Sequence, residues 1–303
     1  MVDVVGVGAN SLDFVYQLPA YPLPDSPTAK LRIRRHLLSP GGQVATALCT
    51  CASLGLRTRY VGTVGDDANG ARLLEALTGR GVDTSGAIAR HAANPYAVIL
   101  LDDRGERVVL WDRDPALRLA PGDVPDAAFA GARVVHVDDV DVEASIDVAT
   151  RASAAGARVT SDIEQVTPRT RALIDAVSVA IFDEHVTSAL VPGASLDDAL
   201  RSLRTRPDQW LCVTQGRRGA TLLAGDRLYT AGAYTVPVVD TTGAGDVFRG
   251  GFIHALLRGD APDAVLRAAN AAAAVSCTRL GAIGGVPTLD EVEALIARAG
   301  PAA

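Results

Sequence analysis

Residues 240–246, which read Asp-Thr-Thr-Gly-Ala-Gly-Asp, are the part of this sequence best suited to chemistry. Glycines at 243 and 245 let backbone amides converge on an anion, and the apolar run that follows predicts a helix whose N-terminus adds a positive dipole end. Asp246 is expected where that helix begins, beside any bound phosphate. A carboxylate is useful there if it takes a proton from an attacking hydroxyl. The stretch therefore predicts phosphoryl transfer to an alcohol, with an N-cap aspartate in an ordinary turn as the alternative.

Apolar runs of strand length alternate with helical patterns through most of the chain. Strands are predicted over 2–8, 59–64, 133–137, 157–160, 178–182, 210–214 and 234–239, and helices over 44–54, 70–78, 146–155, 169–176 and 196–203. The strand at 234–239 is expected to lead directly into the motif. Strands separated by helices form parallel sheets covered on both faces, so the chain is predicted to fold as an α/β protein.

Two early segments, around 28–38 and 95–112, do not fit this alternation. Residues 30–34 alternate charged and apolar side chains, which predicts a strand with one polar face. Two further apolar runs flank the residues Asp-Asp-Arg-Gly at 102–105, which predicts a hairpin. Together these segments could form a small separate β-sheet.

The charge balance disfavours several classes of partner. The 303 residues include 29 Lys and Arg against 35 Asp and Glu, a net charge of −6 without a sustained basic run. Binding to nucleic acid or to a membrane surface has no support, and no apolar stretch is long enough to span a bilayer. Four cysteines without disulfide-framework or zinc spacing are typical of reduced core residues, which favours a cytoplasmic protein. The length suits one large domain with a small appendage.

Two motifs make the chain similar to the ribokinase-like (PfkB) carbohydrate kinases. Residues 240–252, in which the first motif continues into Val-Phe-Arg-Gly-Gly-Phe, closely resemble the family's C-terminal signature. Residues 61–70, Val-Gly-Thr-Val-Gly-Asp-Asp-Ala-Asn-Gly, resemble its N-terminal signature. The match runs in order along nearly the whole chain. It implies a ribokinase-like three-layer α/β/α domain over 1–303, in which the segments around 28–38 and 95–112 form a β-sheet lid that often serves as a homodimer interface.

The same resemblance implies roles for individual residues. Asp246 is expected to be the general base on a primary hydroxyl, and the backbone amides of Gly243, Ala244 and Gly245 are expected to form an anion hole for the transferred phosphoryl group. ATP is expected as its magnesium complex, because its phosphates need a countercharge. The other positions are assigned to the sugar (Asp13, Gly41, Gly42 and Thr46), to the nucleotide (Thr214, Gly216, Gly219 and Asn270) and to a monovalent cation, usually potassium (Asp240 and Thr242).

Two positions depart from the family's pattern. Thr46 stands where an asparagine commonly touches the sugar, and its shorter hydroxyl side chain predicts an altered substrate pocket. The family's Asn-x-x-Glu element, which organises water around magnesium, falls near 182–186, where Asp183 and Glu184 are followed by Val186 in place of the final glutamate. The element therefore lacks its final glutamate, and Asp183 and Glu184 could equally be ordinary helix-start carboxylates.

Basic side chains raise the question of whether the acceptor is anionic. The residues at 30–35 include Lys30, Arg32, Arg34 and Arg35, and Arg113 follows the second lid segment. They could bind a sugar phosphate, a sugar acid or a sulfonated sugar, or the lid charges could only protect an exposed edge strand. Arg249, just after the catalytic motif, could contact an anion or lie on the surface of a helix.

Two other functions stay open at this point. A nucleoside kinase needs an aromatic slot for the base, for which Tyr16, Tyr96 and Trp111 are the candidates. A non-enzymatic, sugar-sensing pseudokinase is the second alternative. The intact Asp246 and its glycines argue against it, so an ATP-dependent carbohydrate kinase is the leading prediction.

Overall fold

A nine-stranded sheet forms the centre of the computed structural model, which describes residues 2–103 and 107–299. The strands are β1 (Val4–Val7), β2 (Ser11–Gln17), β3 (Arg35–Gly41), β4 (Thr58–Gly65), β5 (Val82–Arg90), β6 (Tyr96–Leu101), β7 (Arg107–Asp112), β8 (Val134–Asp138), β9 (Arg158–Asp162), β10 (Val179–Asp183), β11 (Trp210–Thr214), β12 (Ala220–Ala224) and β13 (Arg227–Ala231). The α-helices are α1 (Gln43–Ser53), α2 (Ala68–Gly79), α3 (Val142–Ala154), α4 (Thr170–Ala176), α5 (Glu184–Leu190), α6 (Leu196–Leu203), α7 (Ala244–Arg258), α8 (Pro262–Ser276), α9 (Ala282–Gly285) and α10 (Leu289–Ala299). None of these described helices has the length and apolar character needed to cross a membrane.

The strand order of the central sheet is β13-β12-β11-β10-β9-β8-β1-β4-β5. Neighbouring strands from β11 to β5 are parallel, whereas β12 and β13 are added antiparallel at one edge. Parallel strands need long crossover connections, which are mostly supplied here by helices. The predicted α/β class with a mostly parallel sheet is confirmed, and β5 is a strand that the sequence analysis does not predict.

Alternate residues of each strand pack against different helical layers, because successive strand side chains face opposite sides of a sheet. Val5 and Val7 of β1 belong to a core shared with α3, α4 and α6, whereas Val4 packs with α1, α2 and α10. The residues of β10 divide in the same way, and one face of that strand contacts α7 and α8. The predicted three-layer α/β/α arrangement is therefore confirmed.

A separate four-stranded sheet, in the order β3-β2-β6-β7, corresponds to the predicted lid. The strand predicted over 30–34 is wrong, because β3 begins only at Arg35. Its antiparallel partner β2 ends at Gln17, opposite Arg35, so the ladder with β2 stops there, apart from one hydrogen bond from the Arg34 N–H to Gln17 O at 2.9 Å. The predicted turn at 102–105 and the lid segment 95–112 fall partly outside the described residues, as do both ends of the predicted domain 1–303. The division into one domain with a lid stays a prediction.

The strand predicted over 234–239 is also wrong, since this segment has no regular secondary structure. It follows β13, which already lies at the edge of the central sheet. Pro237 has no backbone N–H to donate, and the N–H of Val239 donates to Cys277 O at 2.8 Å instead of joining a ladder. Local β-propensity does not make a strand where no neighbouring strand is in place.

Helix α7 begins at the edge of the sheet where the parallel strands end, and two glycines allow it to pack there. A Cβ on Gly250 would lie 2.5 Å from Thr50 Cβ on α1, and a Cβ on Gly251 would lie 2.9 Å from Ala272 Cβ on α8. Both distances are shorter than real Cβ contacts, so glycine is required for this close approach. The tight packing against α1 and α8 holds the helix that carries the predicted catalytic residue.

Candidate active site

The start of α7 carries the motif that the sequence analysis assigns to catalysis. Gly243 is the N-cap residue and has a φ of +74°, a left-handed conformation that favours glycine. The N–H groups of Gly245 and Asp246 lie in the first helical turn, where no intrahelical acceptor exists for them. The Ala244 N–H donates to Thr241 O at 3.2 Å. The helix start therefore presents backbone donors next to a carboxylate, the arrangement that binds anions at helix N-termini.

Asp246 is buried among other carboxyl groups. Burial raises the pKa of Asp246 well above its ordinary value, the negative charge of Glu164 raises it further, and the positive charge of Arg249 opposes the shift. Asp13 and Asp138 act in the same direction as Glu164. A carboxylate with a raised pKa is a stronger base, which is what proton abstraction from a hydroxyl requires.

Asp13 lies on β2 of the four-stranded sheet, opposite Ser39 of β3, and its charge acts on Asp246. Its buried carboxylate accepts a hydrogen bond from Ser11 Oγ at 2.6 Å. Burial raises the pKa of Asp13, this hydrogen bond lowers it, and the charge of Asp240 raises it again. A Cβ on Gly41 would lie 2.5 Å from Asp13 Oδ2, so only glycine at that position leaves room for the carboxylate.

Gly42 and Thr46 lie at the start of α1. Gly42 is the N-cap residue with a φ of +96°, and a Cβ there would lie 2.4 Å from Asn10 Cα. Thr46 is fully buried, and its Cγ2 lies 3.5 Å from the position of a Cβ on Gly243. Its Oγ1 has no hydrogen-bond partner among the residues that the structure describes. The starts of α1 and α7 are therefore adjacent, with Thr46 between them rather than open to solvent.

Arg113, the predicted anion contact, is already paired within the protein. Its guanidinium donates to both carboxylate oxygens of Asp141, at 2.5 and 3.0 Å, and to Leu117 O at 2.7 Å. Arg34 similarly pairs with Asp103 at 2.7 Å, although both of these side chains are exposed. The charges of these two arginines are therefore balanced before any substrate binds.

The predicted nucleotide residues lie together near the ends of β11 and β13. Thr214 is the last residue of β11, and Gly216 O accepts a hydrogen bond from the Gly219 N–H at 3.0 Å in the turn that follows. Gly219 has a φ of +92°, and a Cβ there would lie 2.0 Å from Ala231 O. Asn270 Nδ2 of α8 donates a hydrogen bond to Ala231 O at 2.9 Å. The turn and the alanine-rich helix therefore meet at this carbonyl.

The residues predicted to bind a monovalent cation lie in the loop before α7. Asp240 is buried, and its carboxylate accepts hydrogen bonds from the N–H groups of Thr242, at 2.9 Å, and Gly281, at 2.8 Å. This carboxylate joins the loop before α7 to the start of α9. Each of its oxygens has a second lone pair, so these contacts are compatible with an oxygen-ligated cation.

The element predicted to organise magnesium lies where β10 passes into α5. Val186 is fully buried in the apolar core, so the position that carries a carboxylate in the family cannot ligate a metal here. Glu184 is the first residue of α5 and pairs with Arg218. Asp183 accepts a hydrogen bond from Thr214 Oγ1 at 2.6 Å. The Asp183 carboxylate also lies 3.4 Å from Arg249 Nη2 of α7.

The structure adds charged residues that the sequence analysis does not assign to the site. Asp138 and Asp162 are the last residues of β8 and β9, and one oxygen each of Asp162, Glu164 and Asp246 lies within 4.8 Å of the others. Arg249 is fully buried beside them, so the interpretation as a helix-surface residue is wrong, whereas contact with an anion stays a prediction. The sequence signal for both aspartates is a carboxylate at the end of a parallel strand, because parallel strand ends meet at one edge.

Comparison with known proteins establishes the family. The family model described as pfkB family carbohydrate kinase matches residues 5–289. A ribokinase from Bacillus subtilis (strain 168) is 31% identical over 266 residues, which cover 85% of this chain and 87% of that protein. The chain therefore belongs to the pfkB family of carbohydrate kinases, and the resemblance stated from the two motifs is confirmed.

Solved structures agree with this assignment. A candidate ribokinase from Agrobacterium tumefaciens matches with a TM-score of 0.89 at 30% identity, over 97% of both chains. The ribokinase of Arabidopsis thaliana, solved in complex with ribose and ATP, matches with a TM-score of 0.83 at 25% identity, over 97% of this chain and 98% of that one. The ribokinase-like fold is confirmed, and the chain is an ATP-dependent carbohydrate kinase.

Proposed function

We propose that this enzyme transfers the γ-phosphoryl group of ATP to a primary hydroxyl of a neutral sugar or sugar derivative. The observation that carries the proposal is the position of Asp246. It is buried in the first turn of α7, beside backbone donors, and the charge of Asp13 from the lid acts on it. A base, an anion site and a carboxylate suited to sugar hydroxyls therefore meet at one place.

The proposed reaction divides the chemistry among these groups. Asp246 takes the proton of the acceptor hydroxyl as its oxygen attacks the γ-phosphorus, and the bond to the β-phosphate oxygen breaks so that ADP leaves. The amides at Gly243, Ala244 and Gly245 stabilise the negative charge on the transferred group. The carboxylates of Asp183 and Glu164, oxygen ligands of the kind that magnesium prefers, would hold the magnesium of MgATP, which would supply countercharge to the phosphates.

The charges around the site favour a neutral acceptor. Arg113 and Arg34, two of the candidates for binding an anion, are paired with Asp141 and Asp103. The buried carboxylate of Asp13 can accept hydrogen bonds from sugar hydroxyls, whereas it would repel a phosphate or a sulfonate. We therefore favour a neutral sugar over the sugar phosphates, sugar acids and sulfonated sugars.

A nucleoside is the second candidate acceptor, on the strength of one aromatic residue. Trp111 of β7 pairs with Ala97, which pairs with Asp13, so the three side chains share one face of the lid. Trp111 is 75% exposed and could stack on a ring. Tyr16 and Tyr96 lie on the opposite face, which leaves a nucleobase with less aromatic surface than a slot requires.

A screen of ADP release tests the proposed function. Neutral sugars, sugar acids, sugar phosphates and nucleosides are offered as acceptors, and we expect turnover with a neutral sugar. Each lost hydrogen bond to a charged group costs about 1.5–3 kcal/mol, so Asp13→Ala should raise the KM for that sugar roughly 10- to 100-fold and leave the KM for ATP unchanged. Asp103→Ala, which removes an exposed lid carboxylate, is the matched control. An anionic acceptor as the best substrate would contradict the neutral-sugar assignment.

We also propose that potassium binds beside Asp240 and Thr242. The ion would stabilise the loop that leads into the helix start, and so would increase turnover. We expect the rate to rise when potassium replaces tetramethylammonium at constant ionic strength, measured by ADP release with saturating ATP and sugar. Equal rates in the two salts would exclude an activating potassium site.

The homodimer through the lid stays a prediction. Four consecutive residues of β7 have exposed apolar side chains, from 40% exposed at Val108 to 75% at Trp111. A row of large apolar side chains on a sheet of this kind supports contact with a second copy of the chain.

A further inference from the structure

Arg249 is the largest fully buried side chain in the described part of the chain, and the proposed reaction does not use it. It lies on α7, one helical turn after Asp246. An arginine keeps its positive charge in proteins and is almost never fully buried unless it is paired. Its place inside the protein, next to the proposed general base, therefore needs a physical explanation.

The guanidinium of Arg249 connects the start of α7 with the ends of two strands. Its Nη2 lies 2.6 Å from Asp162 Oδ1 at the end of β9 and 3.4 Å from Asp183 Oδ1 at the end of β10. Its Nη1 lies 2.6 Å from the position that a Cβ on Gly245 would occupy, so the group packs directly against the anion-hole loop. Nη1 and Nε have no hydrogen-bond partner among the described residues.

Titratable groups from each neighbouring strand surround Arg249. They are His136 of β8, Asp139 after β8, Asp162 and Glu164 at and after the end of β9, Asp183 of β10, Cys212 of β11 and Asp246 of α7 itself. Burial and the charge of Arg249 lower the pKa of His136 to about 3, so that side chain is neutral. Burial alone would lower the pKa of Arg249, but the carboxylates raise it above its ordinary value. Arg249 therefore balances negative charge within this group of carboxylates.

We propose that Arg249 is a positioning residue for phosphoryl transfer, which holds Asp246 and the Gly245 segment of the anion hole in place from inside the protein. This inference rests on the function proposed above. Asp162 and Asp183 anchor the guanidinium to the sheet, so the first turn of α7 cannot shift against the strand ends without breaking these contacts. Gly245 takes part as well, because a larger residue there would displace the guanidinium.

A purely structural ion pair is the competing explanation. Replacing a buried ion pair by neutral residues often leaves stability unchanged, whereas removing one partner leaves an unbalanced buried charge and destabilises the protein. The two explanations differ in what happens when both charges are removed. If the ion pair is purely structural, the double variant should recover turnover together with stability. If Arg249 is a positioning residue, the double variant should recover stability but not turnover.

A double-mutant cycle with Arg249→Met and Asp162→Asn distinguishes the positioning role of Arg249 from a purely structural ion pair. For each variant the melting temperature, the Kd for ATP and the steady-state constants are measured. We expect Arg249→Met to lower the melting temperature. The melting temperature of the double variant should rise again to that of the Asp162→Asn variant. The kcat of the double variant should stay roughly 10- to 100-fold below that of Asp162→Asn, with KM values within about twofold. Arg249→Lys, which keeps the charge, should recover part of the lost kcat.

Equal kcat values for the double variant and Asp162→Asn would overturn the inference, as would an Arg249→Lys enzyme no faster than Arg249→Met. These outcomes are distinct from failure of the proposed function. A wild-type enzyme without ADP release on any acceptor, or an active Asp246→Asn variant, would contradict the function, and the inference would fall with it. An active wild-type enzyme whose kcat is unchanged by the Arg249 substitutions would contradict the inference alone.

Discussion

The Asp246→Asn variant is expected to lose at least about a hundredfold in kcat, the size of effect that a positioned general base supplies. Asparagine has nearly the same shape as aspartate but cannot accept the proton of the acceptor hydroxyl. The backbone donors of the α7 start do not depend on this side chain, so ATP should still bind. The measurements are kcat by coupled ADP release and the Kd for ATP by calorimetry.

An exposed carboxylate provides the control for this experiment. Asp263→Asn removes a carboxylate of α8 that pairs with Arg267, and it should leave kcat unchanged. Near-native turnover of Asp246→Asn would show that another group takes the proton. Loss of ATP binding in Asp246→Asn would instead show that the substitution distorts the anion hole.

Gly243→Ala is expected to lower kcat roughly 10- to 100-fold, because small displacements of a catalytic constellation have effects of that size. The left-handed backbone at this position, with its φ of +74°, strains any other residue. In addition, the new Cβ would lie 2.6 Å from Ala282 Cβ of α9. The loop can relieve this contact only by moving, and the donors at the start of α7 move with it.

Gly259, at the other end of the same helix, gives a matched comparison. It is the C-cap residue with a φ of +81°, and a Cβ there meets nothing within 4 Å. Gly259→Ala therefore imposes similar backbone strain without a clash and far from the proposed chemistry. We expect both variants to lose melting temperature, Gly243→Ala more because of the added clash, but a large loss of kcat only in Gly243→Ala. Equal kcat values would mean that the geometry of the loop before α7 does not limit the reaction.

Local pattern was sufficient for the parts of this protein whose residues are adjacent in sequence. Residues 240–246 predict a helix start with converging amides and a carboxylate, and α7 begins at Ala244 with Gly243 as its cap. Strand and helix periodicity predicts the mostly parallel sheet and its two helical layers, because each segment shows its buried face in its own sequence. The assignment to the sugar, nucleotide and cation sites came from the family resemblance, and these roles stay predictions for the individual residues.

Contacts between segments distant in sequence decided where strands begin and which charged residues are buried. Residues 30–34 have a strand pattern, yet β3 begins at Arg35 because its partner β2 ends at Gln17. Arginine is a residue type usually found at the surface, and only the folded chain shows that Arg249 is buried against Asp162 and Asp183. A strand needs a ladder and a buried charge needs a partner, and both are supplied by residues far away in the sequence. Periodicity along the chain carries no information about which partners the fold will bring.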